Sequence, residues 1–257
     1  MAIGLQHHPD HRKPNGDDGD ARPIRLALLN GFELTNRGLH VDIPLSAQRL
    51  LAFLAFQERP LLRLHVAGNL WPDSPEARAT ANLRSSLWRA HQSTPKMIDA
   101  AGQHLRLAEL VEVDVREVIS LATRIVDDRS VGPNDFESAQ QLIASPGDLL
   151  PDWYEDWVQF KREHLRQLRL HALEALCERL TRAGRYGMAV QSGLAAVACE
   201  PLRESSHRAL MRAYAAEGNN GEALRQYHAY RKLLHQELHL RPSNQMEALI
   251  QQIRTAT

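Results

Sequence analysis

Apolar positions change their period along this chain, and the change divides it in two. Between Pro23 and about Glu112 the runs are short. IRLALL (Ile24 to Leu29) and FELTNRGLHVDIP (Phe32 to Pro44) alternate and carry β-branched residues, with Asn30-Gly31 and Arg37-Gly38 as turn signals. They predict two or three short strands. In SAQRLLAFLAFQE, Leu50, Leu51, Leu54 and Ala55 form a helical stripe behind Ser46 as N-cap. A second helix is expected over Leu64 to Leu70, stopped by Pro72. The third covers Ala79 to His91, entered through Ser74 as cap and Pro75 as first helical residue. KMIDA and HLRLAEL then flank Ala101-Gly102 as a hairpin. Strands, three helices and a closing hairpin spell a winged helix-turn-helix with a leading sheet.

From Asp114 onward the pattern is helical almost throughout, and it repeats. At an offset of 34, Leu176 falls on Leu210, Leu180 on Tyr214, Gly184 on Gly218, Gly187 on Gly221 and Ala189 on Ala223. That is the tetratricopeptide period, in which helix pairs stack because one pair cannot bury its own apolar face. Two copies are clear, and a degenerate third is expected before Leu150. DLLPDWYEDW, with Trp153 and Trp157, reads as the junction into a long helix from about Trp157 to Ala183. The expected fold is therefore mainly α: an α+β winged helix-turn-helix at 23–112, then an all-α tetratricopeptide-like domain at 113–257. Residues 1–22, rich in Asp, Gly, Pro and His, are expected to be a disordered leader.

Composition narrows the chemistry. With 257 residues, 43% of them hydrophobic, the chain can bury sizeable cores. The longest apolar run, LLAFLAF, falls well short of a membrane span, and no secretory signal opens the sequence, so a cytoplasmic location is expected. Cys177 and Cys199, both in helical pattern, suit buried free thiols. HQELH, His235 to His239, lacks the zinc-peptidase order, because Glu237 sits two residues after the first histidine. Neither a phosphate-binding Gly-rich loop nor a nucleophile elbow occurs. The expectation is a protein without enzymatic activity, cofactor or metal.

Net charge is zero, and the N-terminal part holds ten basic and eight acidic residues. Bulk electrostatics alone would not hold nucleic acid. Distribution matters more: from Ala77 to Gln92 there are Arg78, Arg84 and Arg89 and no carboxylate. With Leu83 at zero on a helical projection, Leu87, Ala90, Ala79 and Ser86 lie between about 300° and 40° and form the inner arc. Arg78, Asn82, Ser85 and Arg89 lie between about 200° and 260°, flanked by Trp88 and Arg84 at about 140° and 100°. Arg reads guanine and Asn adenine in bidentate fashion in a major groove, and the third helix of such a domain enters that groove. Trp88 suits equally packing against the wing or stacking on the sugar-phosphate backbone. At the hairpin, Gln103, His104 and Arg106 are candidates for phosphate or minor-groove contact, although a hairpin that merely closes the domain would look the same.

RLLAFLAFQ, LWPD (Leu70 to Asp73), ANLRSSLWR, GDLLPDWYEDWVQFKREHLRQLRLHALEALCERL and EPLRESSHRALMRAYAAEGNNGEALRQYHAYRKLLHQELHLRPS together resemble the Streptomyces antibiotic regulatory protein family. The likeness covers about residues 24 to 255. It implies a winged-helix DNA-binding domain joined to a tetratricopeptide-like bacterial transcriptional activation domain. It further implies double-stranded DNA bound at promoter direct repeats, usually by a homodimer, and recruitment of RNA polymerase holoenzyme. Base contacts would fall to Arg84, Ser85, Trp88 and Arg89, with Arg78 and Asn82 nearer the backbone. The chain departs from the family pattern at Arg89-Ala90-His91 and at His104-Leu105, so an operator preference does not carry over. The competing reading is an adaptor that has lost DNA and holds a protein or peptide in its repeat groove.

Overall fold

The computed structural model describes residues 24–127 and 147–255. The leader and most of the segment where a third repeat is expected lie outside them. In the N-terminal part β1 (Ile24–Ala27), β2 (Glu33–Asn36) and β3 (Leu39–His40) precede α1 (Leu45–Ala55). They are followed by β4 (Leu61–Leu62), α2 (Arg63–Leu70), α3 (Glu76–Ser93), β5 (Ile98–Ala101), β6 (His104–Leu107) and β7 (Val111–Val113). One sheet has the order β3-β2-β1-β7, the other β4-β6-β5. Arg37 and Gly38 both adopt positive φ between β2 and β3, as a two-residue hairpin with right-handed strand twist requires. β4 and β7 are too short to give a period, and both form only through their partners, Leu61 opposite Leu105 and Ile24 opposite Val111.

Two helix starts move by a residue or two from expectation. Pro44 takes the N-cap of α1 and Pro75 that of α3, neither with a side-chain cap. The Pro44 carbonyl already accepts from Ala47 and Gln48, and the Pro75 carbonyl from Arg78 and Ala79. Ser46 therefore lies inside the first turn of α1, and Ser74 stands outside α3.

The C-terminal helices are α4 (Asp114–Val126), α5 (Asp156–Arg182), α6 (Tyr186–Cys199), α7 (Glu204–Glu217), α8 (Asn220–Leu238) and α9 (Asn244–Thr255). The 34-residue repeat recurs bond for bond. Gly184 and Gly218 both have positive φ, and the amides of Arg185 and Asn219 donate to Leu180 and Tyr214, respectively. Such left-handed ends favour glycine. Ala189 and Ala223 are fully buried where the paired helices approach. At Gly193 a Cβ would lie 3.0 Å from Leu210 Cβ, so α6 and α7 cross there with no room for a side chain.

The two parts share a core. Leu149, Leu150, Val158 and Leu165 pack into the same cluster as Leu26, Leu50 and Leu83. Trp157 meets Phe53 edge-on at 5.3 Å, and Trp153 stacks on Phe32 at 6.2 Å. Backbone bonds join Asn30 N to Asp148 O and Leu150 N to Leu28 O. Arg116 of α4 donates to the carbonyls of Leu54, Ala55 and Gln57, closing the C-terminal end of α1. The change of pattern near Glu112 is thus a change of secondary structure across which packing continues.

Candidate nucleic-acid interface

Helix α3 turns its aliphatic side inward. Ala79, Leu83, Ser86 and Ala90 are each at most 3% exposed, while Leu87 is half-buried at the edge of the core. Arg78, Arg84, Ser85, Trp88 and Arg89 are exposed, and Asn82 is half-buried. The helical projection read from the sequence thus fits to within a residue. The exposed face carries no carboxylate beyond Glu76 at its first turn.

Packing divides that face into two flanks. On one, Arg89 Nη1 donates to Ser46 Oγ at 3.2 Å, which places it beside the start of α1. The free amides of a helix start attract anions, and α1 has no acidic residue in its first turn. On the other flank, Arg84, Leu87 and Trp88 line a groove against the β5–β6 hairpin. Trp88 borders this groove yet is 63% exposed, so its indole remains open to a ligand. Between the flanks the middle of the face runs through Ala81, Ser85 and Gln92. Gln92 was not singled out in the sequence, because it lies past the last apolar residue that anchors the projection.

The hairpin separates its three candidates. Gln103 and His104 are exposed at or beside its tip. Arg106 is drawn into ion pairs, with Nε donating to Asp99 Oδ2 at 2.9 Å and Nη1 lying 3.2 Å from Glu109. The Asp99 hydrogen bond and then the Glu109 charge hold its pKa above the usual range. Its donors are directed within the domain. Arg63 instead joins the wing to the helices: its amide donates to Gln103 O and its Nε to Gly102 O. Arg63 carries no local signal, because its role depends on pairing between β4 and β6, which are 42 residues apart at Leu62 and His104.

Comparison with known proteins adds what geometry alone does not give. Residues 136–254 match the bacterial transcriptional activator domain. Over 95% of its length the chain is 25% identical to the regulatory protein AfsR of Streptomyces coelicolor and 26% identical to that of Streptomyces griseus. The chain thus carries a bacterial transcriptional activator domain and is similar to transcriptional regulators of the Streptomyces antibiotic regulatory protein type. It spans 26% of the length of those two relatives. Among solved structures it resembles Mycobacterium tuberculosis EmbR in complex with a low affinity phosphopeptide, with a TM-score of 0.68 and 22% identity. That match covers 91% of this chain and 66% of the other, and it establishes the fold. In this chain the winged-helix part precedes and packs against the activator domain. Among the described residues, no helix is long and apolar enough to cross a membrane, and no group of three acidic, His or Cys side chains is placed to hold a metal ion.

Proposed function

We propose that this regulator activates transcription by binding promoter direct repeats as a dimer through α3 and recruiting RNA polymerase holoenzyme with its helical half, as a cytoplasmic protein without catalytic activity. The observation that carries the DNA reading is the outward face of α3: three exposed arginines, Ser85 and Trp88, with no acidic residue from Ala77 to Gln92. Arg84, Ser85 and Trp88 are the proposed base-side residues. Arg78 and Arg89 would serve the phosphates, Arg89 jointly with the start of α1, and Asn82 would support that edge. Gln103 and His104 are the proposed wing contacts, and Arg106 holds the hairpin together. Polymerase recruitment and the direct-repeat dimer rest on the resemblance to that family alone.

Binding to random duplex at rising salt tests the reading. A few neutralised phosphates predict that affinity falls steeply as salt rises, with a slope of about −0.9 for each phosphate contacted. Absence of binding at low salt would instead favour the adaptor reading, to which the near-neutral N-terminal part is equally suited.

A further inference from the structure

The groove between α3 and the β5–β6 hairpin has a volume of about 360 Å³, in the range that encloses a small organic molecule. Its walls are apolar, with Leu87, Trp88, Met97 and Ile98 facing it. Its guanidiniums are Arg63 and Arg84, His91 also lines it, and none of its lining residues is acidic. Arg84 makes no ion pair among the described residues, and Arg63 commits its side chain only through Nε, to Gly102 O. Thr94, also part of the lining, is 1% exposed and its hydroxyl has no hydrogen-bond partner.

We infer that this groove binds a small planar aromatic carboxylate. The ring lies against the Trp88 indole between the aliphatic walls, and the carboxylate is held by Arg63 and Arg84. Apolar enclosure with a few placed polar groups is the usual make-up of a small-molecule site. Carboxylate pairs with guanidinium better than with any other side chain. Arg84 and Trp88 also belong to the face proposed to meet DNA, so the acid and a duplex compete. The inference reaches beyond the DNA reading, and its first step does not depend on it.

Calorimetric titration of the full chain, without DNA, with 2-naphthoate and with its neutral amide tests the site. One saturable site is expected for the acid, with the amide at least about tenfold weaker. Arg84→Gln should weaken the acid by a similar factor. Ala100→Phe, on the exposed strand edge of the groove, should abolish binding by filling it while both arginines remain, with thermal stability checked as unchanged. Equal affinity for acid and amide, or binding indifferent to both substitutions, overturns the inference, as does failure of the acid to saturate at millimolar concentration. A duplex should then displace the acid. Simultaneous binding with unchanged affinities would refute the competition. A chain that binds the acid but no duplex would refute the DNA reading and leave the site standing.

Discussion

Arg89 and His207 show how much a single side chain's role depends on its neighbours. On a helical projection Arg89 stands with the residues proposed to read bases, yet its hydrogen bond to Ser46 draws it to the start of α1. Arg89→Ala should therefore weaken all duplexes about equally and lower the salt slope by about one, whereas Arg84→Ala should cost about 1–3 kcal/mol on the operator and less on random DNA. Competition binding across both sequences at fixed salt separates the two. His207 is 2% exposed, its Nε2 donating to Pro201 O and its Nδ1 accepting from Gln226, with the Tyr230 ring tilted against it at 4.2 Å. Burial lowers its pKa below the ordinary 6.5, so the neutral ring belongs to the folded state. Its stabilising effect is complete above the unfolded value and is lost as pH falls through and below it, because the unfolded chain binds the proton more readily. Thermal midpoints should drop between pH 7.5 and 5.5, and the gap between the native chain and His207→Gln should narrow over that interval. The pKa of Glu174 is lowered as well, but against burial rather than by it. Burial alone would raise its pKa, but donation from Arg203, Ser205 and Ser206 outweighs burial and keeps the carboxylate ionised.

Helix α3 was legible as an element because its apolar residues recur at three and four, and burial follows that spacing residue by residue. What the period could not set was depth. Leu83 and Leu87 sit one turn apart on the same arc, but Leu83 is 1% exposed and Leu87 borders the groove. Leu83→Ala should cost about 2–5 kcal/mol, within the range for deeply buried leucines, and Leu87→Ala clearly less. Equilibrium denaturation of the two variants checks the order. The repeat was legible for a different reason: Gly184 and Gly218 end α5 and α7 in the left-handed region, where other residues are strained. Its second copy replaces Ala196 by Tyr230, and that larger side chain lies over His207, a packing pair that no 34-residue pattern announces.

For the whole molecule, the junction is where sequence reading and packing differ most. Trp153 and Trp157 read as the lead into a long helix; Trp157 lies in its first turn and Trp153 in the stretch just before it. They also reach back to Phe32 and Phe53, while Arg49 pairs with Glu155 at 2.6 Å across the same seam. The outward face of α3 and the activator domain are thereby carried on one core. Trp157→Ala should destabilise the chain by about 3–5 kcal/mol, and the loss should appear in the winged-helix part as well as in the solenoid. Hydrogen exchange resolved by segment would show faster exchange in α1 along with α5. Protection lost only in α5 would mean that the parts fold separately. Cys177, buried in the solenoid core with its thiol pushed up to about 12, is expected to be inert to thiol reagents until that core opens.

By itself the sequence determined the order of elements, the inward arc of α3, the glycine turns and the 34-residue repeat. Each is a local consequence of period and backbone preference, complete within a few turns of chain. Only the tertiary structure decided the short strands β4 and β7, the commitment of Arg106 to Asp99 and Glu109, the placing of Arg89 beside Ser46, and the groove that Arg63 borders. These depend on residues far apart in sequence coming within hydrogen-bond distance, and distance in space is what a periodic pattern does not encode.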